Sequence, residues 1–417
     1  MYPHEINTRL STLNMLDYTA LPVPDAVYDD LDGNERLRLR EIIKKYSGEK
    51  NLLELDDEEL DKALRLAVNT DNKIVPTYCG LLLIGKKERI QELMPTAKAV
   101  FQVLSGTDVV FNEDVDGALL SVFERMETYM TARNSEAEIE EGLFRISVYD
   151  FDKMAFREAL VNAFCHRDYT MLGRVRVEIN DDGLVISNPG GFVEGVNINN
   201  LLTAEPHGRN PALADVMKRI GLAERTGRGI DRIFEGSLLY GKPMPDYSES
   251  TDTLVKLFIP RGLPDKAFAK MISDEQERIG RALPVNSLLI LNELKRNSRS
   301  TIAELSETIH SSEAKTKSAV EKLVESGMLE AVGTGKGRYY TLSVQVYRRN
   351  KTTAEYVRQR GISEVRHPEM IIELAAKNDG KITRADVIEL LKIYENRAYR
   401  ALKDLVSQGK LRPEGKG

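Results

Sequence analysis

The sequence predicts a multidomain α+β protein: an N-terminal α/β region, a second α/β unit, then two mainly helical modules. Three observations predict it. Short apolar runs bounded by glycine or asparagine alternate with stretches of helical spacing up to about residue 260. Beyond that, one pattern occurs twice: apolar helix, short helix, tight turn, long helix, glycine. Charge divides at the same place. From Pro264 onward 28 Lys and Arg stand against 21 Asp and Glu, whereas before it 31 stand against 44. A chain of 417 residues suggests two to four domains.

The elements follow in order. Asp32–Tyr46 and Glu54–Ala67 read as helices, the second with Leu60, Leu64 and Leu66 on its apolar face. Tyr78–Gly85 is a short apolar run ending in glycine and is expected to be a buried strand, followed by a strand over Ala97–Leu104. Asp116–Met130 is helical, and the polar run Thr131–Glu141 is expected to be a loop. The second unit opens with a strand at Leu143–Tyr149 and a helix from Asp152 to Arg167. A hairpin turns at Asp181-Asp182-Gly183. A long Gly/Asn-rich loop, Asn188–Asn210, leads to helices at Pro211–Ile220 and Gly229–Leu239, and a last hairpin ends at Pro260. The expected domains are 1–140, 141–262, a linker at 263–284, a module at 285–346, a linker at 347–366 and a module at 367–417.

Composition narrows the function. With 41% hydrophobic and 30% charged residues, wholesale disorder is excluded. No apolar run approaches the ~18–20 residues that span a bilayer. Two cysteines, Cys79 and Cys165, cannot build a disulfide framework, and a reducing cytoplasm is the expected location.

The repeated C-terminal pattern, closed in its first copy by a hairpin, is that of a winged helix-turn-helix. Its long helix offers Lys315, Thr316 and Lys317 near a Ser311-Ser312 cap, and its wing carries Lys336 and Arg338. The second copy offers Asn396, Arg397 and Arg400. These are the candidate DNA contacts, with Lys and Arg neutralising phosphates. One half-site per protomer would favour a homodimer.

Between them and the N-terminus lies the most specific cluster. Glu158, Asn162 and His166 are spaced i, i+4, i+8 and share one helix face. A carboxylate beside a carboxamide suits a hydrated Mg²⁺ and a phosphate substrate. Ser187-Asn188-Pro189-Gly190-Gly191 follows a strand, and Gly227-Arg228-Gly229 opens a helix, where anions are favoured.

Taken in this order, "REALVNAFCHRDY", "ISNPGGF" and "RNPALADVMKRIGLAERTGRGIDRI" resemble the GHKL superfamily of ATP-binding domains, in its RecG-like C-terminal subfamily. Upstream, "GLLLIGK" and "FQVLSGTD" are similar to the segment that precedes that domain in Schlafen AlbA-type transcriptional regulators, so the resemblance covers most of residues 3–262. It implies a GHKL-like α/β sandwich binding ATP and Mg²⁺, with Glu158 as general base, Asn162 as metal ligand and Gly227 and Gly229 on the phosphates. Asn188, Gly190 and Gly191 fall at the adenine box. There the superfamily has Asp, whereas Asn188 accepts a hydrogen bond without charge. His166 and Arg228 are further candidates for the nucleotide. No Gly-x-x-x-x-Gly-Lys-Ser/Thr loop is present, so a helicase motor finds no support. The expected function is a DNA-binding transcriptional regulator in which nucleotide orders the Asn188–Asn210 loop and gates the winged helices. An ATPase holding a protein partner and a nucleotide-free scaffold are the alternatives.

Overall fold

The computed structural model describes residues 9–10, 13, 15–71, 73–141, 144–205, 208–224, 226–335, 338–343, 367–391 and 395–414. The chain divides into two compact units, Met1–Pro264 and Asp265–Gly417.

In the first unit, α1 (Gly33–Lys45) starts where the Asp32 carboxylate accepts the Asn34 and Glu35 amides. The helix α2 (Asp57–Ala63) opens with a capping box between Asp56 and Glu59. It stops short of the expected Ala67. Arg65 takes a left-handed φ of 56°, and β1 (Ala67–Thr70) pairs antiparallel with β2 (Lys73–Pro76). The run expected as a strand at Tyr78–Gly85 is instead the helix α3 (Tyr78–Ile84). A run buried on every side has no polar face to show its period. The cap decides it, because the Thr77 hydroxyl accepts the Gly80 amide at 3.1 Å. After α4 (Lys87–Leu93) come β3 (Ala99–Ser105), β4 (Asp108–Val115) and α5 (Leu119–Thr131). The expected loop at Thr131–Glu141 contains β5 (Glu136–Glu141), drawn into strand by antiparallel pairing with β6 (Phe144–Tyr149). Cross-strand partners override the weak strand propensity of its glutamates.

Asp152 caps α6 (Lys153–His166). The hairpin of β7 (Val175–Ile179) and β8 (Gly183–Pro189) is turned by Asn180, whose side-chain oxygen accepts the Asp182 and Gly183 amides. Then follow α7 (Pro211–Arg219), α8 (Gly229–Leu238) and β9 (Leu254–Pro260). The first arm of the expected last hairpin is reduced to an isolated bridge between Asp246 and Phe258. The main sheet has the order β4-β3-β7-β8-β9. Only β3 and β7 run parallel, from Ala99 opposite Val175 to Val103 opposite Ile179. The sheet thus crosses residue 140, where the sequence suggested a boundary.

The N-terminal region holds α7 at both ends. Asp17 accepts the Ala212 amide at 2.6 Å, and Glu49 meets Arg219 at 3.1 Å.

In the second unit the expected linker contains a 14-residue helix, α9 (Lys266–Ile279), which buries Phe268, Ala269, Met271 and Ile272. Its buried apolar face makes it a structural element. The helices α10 (Val285–Asn297), α11 (Ile302–Thr308) and α12 (Glu313–Glu325) precede the wing, β10 (Leu329–Val332) paired with β11 (Tyr339–Leu342). Ser300 adds a bridge to Tyr340. The second copy is α13 (His367–Lys377), α14 (Arg384–Leu391) and α15 (Glu395–Ser407). The expected linker at 347–366 lies outside the described residues. Among the described residues no helix is long and apolar enough to cross a membrane.

Candidate functional site

The first unit contains a cleft of about 210 Å³. One wall is α6. Its i, i+4, i+8 stripe puts Glu158, Asn162 and His166 on the cleft, while Leu160 is fully buried and Phe164 packs edge-on against Phe123. Asn188 and Gly191 contribute from the end of β8. Asn188 is buried, and its side-chain Nδ2 donates to the Pro189 carbonyl at 3.3 Å. The opposite wall is the loop into α8, with Gly227 and Gly229. A Cβ on Gly229 would stand 3.0 Å from the Glu158 Oε2 and 3.9 Å from the Asn162 Nδ2. Glycine there brings the loop backbone up to the carboxylate and carboxamide.

Seven expected nucleotide-site residues, Glu158, Asn162, His166, Asn188, Gly191, Gly227 and Gly229, therefore meet around one space. Gly190 does not line it. Its φ of 96° and a virtual Cβ only 2.9 Å from the Asp168 Cβ show a packing role. Arg228 does not line it either, because its guanidinium goes to Asp231 at 3.3 Å and Glu235 at 3.1 Å.

A buried brace sets the α6 wall. Arg209 reaches Asp168 at 3.4 Å and the Gly191 carbonyl at 3.2 Å. The Asn210 side chain donates to the carbonyls of Cys165 at 2.9 Å and Arg167 at 2.8 Å. Arg167, fully buried, donates to the carbonyls of Thr96 and Gly173. The sequence marked Arg209-Asn210-Pro211 as part of a motif, and the structure gives it this structural work.

Burial pushes the Glu158 carboxyl above its ordinary range, against the opposing pull of the Arg157 charge and the Glu224 backbone amide. Burial also pushes the Cys165 thiol up to about 12, so it is not a reactive thiolate at neutral pH. Sequence reasoning missed Lys218, Glu205, Glu224 and Asp231, which also line the cleft. For Lys218 a signal existed. It lies i+4 from Ala214 on α7, and both reach the space.

In the first winged helix, Lys315 and Lys317 are exposed at the start of α12. Thr316, expected beside them on DNA, is fully buried and its hydroxyl has no hydrogen-bond partner among the described residues. Adjacent helical residues point about 100° apart, so three in a row cannot share a groove. Arg338 is exposed on the wing, and Lys336 lies outside the described residues. In the second copy Arg400 is exposed on α15, while the side chains of Asn396 and Arg397 lie outside the described residues.

The arrangement can be set beside known proteins. Residues 173–258 match the family described as "Putative ATP-dependent DNA helicase recG C-terminal". Residues 285–330 match a winged helix-turn-helix DNA-binding family, and residues 10–100 match a domain family of unknown function, DUF8451. No curated protein matches the chain. In structure the chain is similar to the DIP2311 protein from Corynebacterium diphtheriae, with a TM-score of 0.65 and 19% identity over 84% of this chain and 68% of that one. That likeness concerns the fold. The chain thus carries a RecG C-terminal, ATPase-like region at residues 173–258 followed by a winged helix-turn-helix at residues 285–330.

Proposed function

We propose that the protein is a DNA-binding transcriptional regulator whose first unit binds an adenine nucleotide with Mg²⁺. One observation supports the nucleotide reading: residues from α6, the end of β8 and the loop into α8 meet around one cleft. The residues present fit the group. Mg²⁺ is commonly held by one or two protein groups together with phosphate oxygens. Asn162 beside Glu158, with the Gly229 backbone close to both, supplies such a place. When bound, Mg²⁺ would neutralise phosphate charge.

The chain's own residues would do the rest. The Asn188 carboxamide oxygen would accept an exocyclic amino group. Glu158, with its carboxyl raised by burial, would polarise a water if hydrolysis occurs. Lys315, Lys317, Arg338 and Arg400, all exposed, would contact DNA phosphates. Nucleotide in the first unit would change the DNA affinity of the second.

Calorimetry with ATP–Mg²⁺ tests the site. Wild type is expected to bind and Asn162→Ala to lose binding, and a wild type that binds nothing removes the reading. Equal DNA affinity with and without ATP–Mg²⁺ removes the gating. Replacing Lys315 and Lys317 together by alanine is expected to lower the slope of log affinity against log salt by about two.

A further inference from the structure

At the Asn188 end, the cleft is floored by one face of the sheet. Asn188 stands opposite Val255, and Ile186 opposite Leu257, in the β8–β9 register, and all four line the space. Residues two apart on a strand share a face, so a single carboxamide sits among apolar side chains there. Phe192 and Val193 extend the apolar lining. The Nδ2 of Asn188 is committed to the Pro189 carbonyl, which leaves its oxygen as the acceptor for a ligand.

A second polar group belongs to this apolar end. Tyr247 follows Asp246, which bridges antiparallel to Phe258, so the backbone sets Tyr247 beside Leu257. Tyr247 lines the cleft, with its ring tilted against that of Phe192 at 6.3 Å between centroids. It is only 7% exposed. Among the described residues its hydroxyl has no hydrogen-bond partner, and burial alone pushes the phenol above its ordinary range. Nor is that hydroxyl sealed in the core as the Thr316 hydroxyl is. Buried tyrosine hydroxyls ordinarily find a partner, and an unpaired one on a cavity wall is a place for a ligand's polar atom.

We propose that Tyr247 is a base-recognition residue, its hydroxyl donating to a ring nitrogen of adenine beside the exocyclic amino group that Asn188 accepts. This rests on the cleft being an adenine-nucleotide site. Adenine carries its amino donor between two ring acceptors, N1 and N7. Asn188 and Tyr247 offer the matching acceptor and donor in an otherwise apolar surrounding. A base that lacks the ring nitrogen leaves the hydroxyl unpaired, which is how such a site rejects it.

The test is calorimetry on the full chain, wild type and Tyr247→Phe, with ATP, 1-deaza-ATP and 7-deaza-ATP, each with Mg²⁺. In the two analogues a C–H replaces N1 or N7. Tyr247→Phe keeps the ring against Phe192 and removes only the hydroxyl. Wild type is expected to bind one of the two analogues about tenfold more weakly than ATP, which corresponds to about 1.4 kcal/mol. Tyr247→Phe is expected to bind ATP about tenfold more weakly than wild type does, and to bind that same analogue within about twofold of ATP. Without ligand its Tm is expected to equal or exceed that of wild type, since no hydrogen bond of the protein is lost. Unchanged ATP affinity in the variant, or a loss that falls equally on ATP and both analogues, overturns the proposal. So does a ligand-free Tm lowered by several degrees, which makes the hydroxyl a support of the fold. If wild type binds none of the three ligands, the nucleotide reading itself falls, an outcome distinct from the others, in which ATP still binds.

Discussion

The two walls of the cleft are built by opposite means. The α6 wall is tied to other elements. Arg209 joins Asp168 to the Gly191 carbonyl, Asn210 holds the C-terminal carbonyls of α6, and Arg167 is tied to Thr96 and Gly173. The facing wall is tied mostly by local bonds: the Thr226 amide and hydroxyl and the Arg228 amide go to Glu224 only a few residues away, and the Glu224 backbone amide reaches Glu158 on α6. Thr226, Gly227 and Arg228 are exposed, whereas Glu158, Arg209 and Asn210 are buried. A long-range buried network is expensive to disturb, and a local turn closed by one side chain is cheap. A rearrangement therefore costs less in the second wall, and stability rests more on the first.

This contrast can be broken most severely at Arg209. Arg209→Ala leaves Asp168 buried without its cation and is expected to cost about 3 kcal/mol, read from urea unfolding. Gly191→Ala comes next. Its Cβ would stand 2.4 Å from the Asp252 carbonyl oxygen, a backbone atom that cannot swing aside, and about 2 kcal/mol of stability should be lost. Comparable losses from Glu224→Ala would erase the distinction between the walls.

The smallest effect sharpens the comparison. Burial raises the Glu158 carboxyl, so the folded state binds its proton more tightly than the unfolded chain. Below the unfolded-state value both states are protonated and nothing is lost. Above it the unfolded chain ionises first, and stability falls with rising pH until the folded carboxyl ionises too. Glu158→Gln is thus expected to raise Tm at about pH 8 and leave it unchanged near about pH 4. Thermal unfolding across that range checks it, and a Tm lowered at both ends would count against the assignment.

Much of the site was legible because its signals are local. The Glu158, Asn162 and His166 stripe needs only the helical period, and Gly227 with Gly229 needs only its place before α8. What escaped depends on partners outside the segment itself. Arg209 has its meaning from Asp168, and β5 from β6. Tyr78–Ile84 is apolar all round, which hides its period, and the Thr77 cap is a single-residue signal. Thr316 was misplaced because the start of α12 was read as one charged surface, without separating the faces of successive residues.

The parallel pairing of β3 with β7 sets an order of assembly. Emerging from a ribosome, β3 and β4 can close as a hairpin at once. The other edge of β3, with buried Val100 and Phe101, waits until Val175–Ile179 has been made, and α5, β5, β6 and α6 are synthesised in between. Parallel partners need such a crossover, and closing the long loop slows the step. A chain stalled before Val175 presents an unpaired strand edge that a second nascent chain can extend. The sheet is complete only when β9 joins β8, so folding of the first unit tolerates delay poorly between residues 105 and 175.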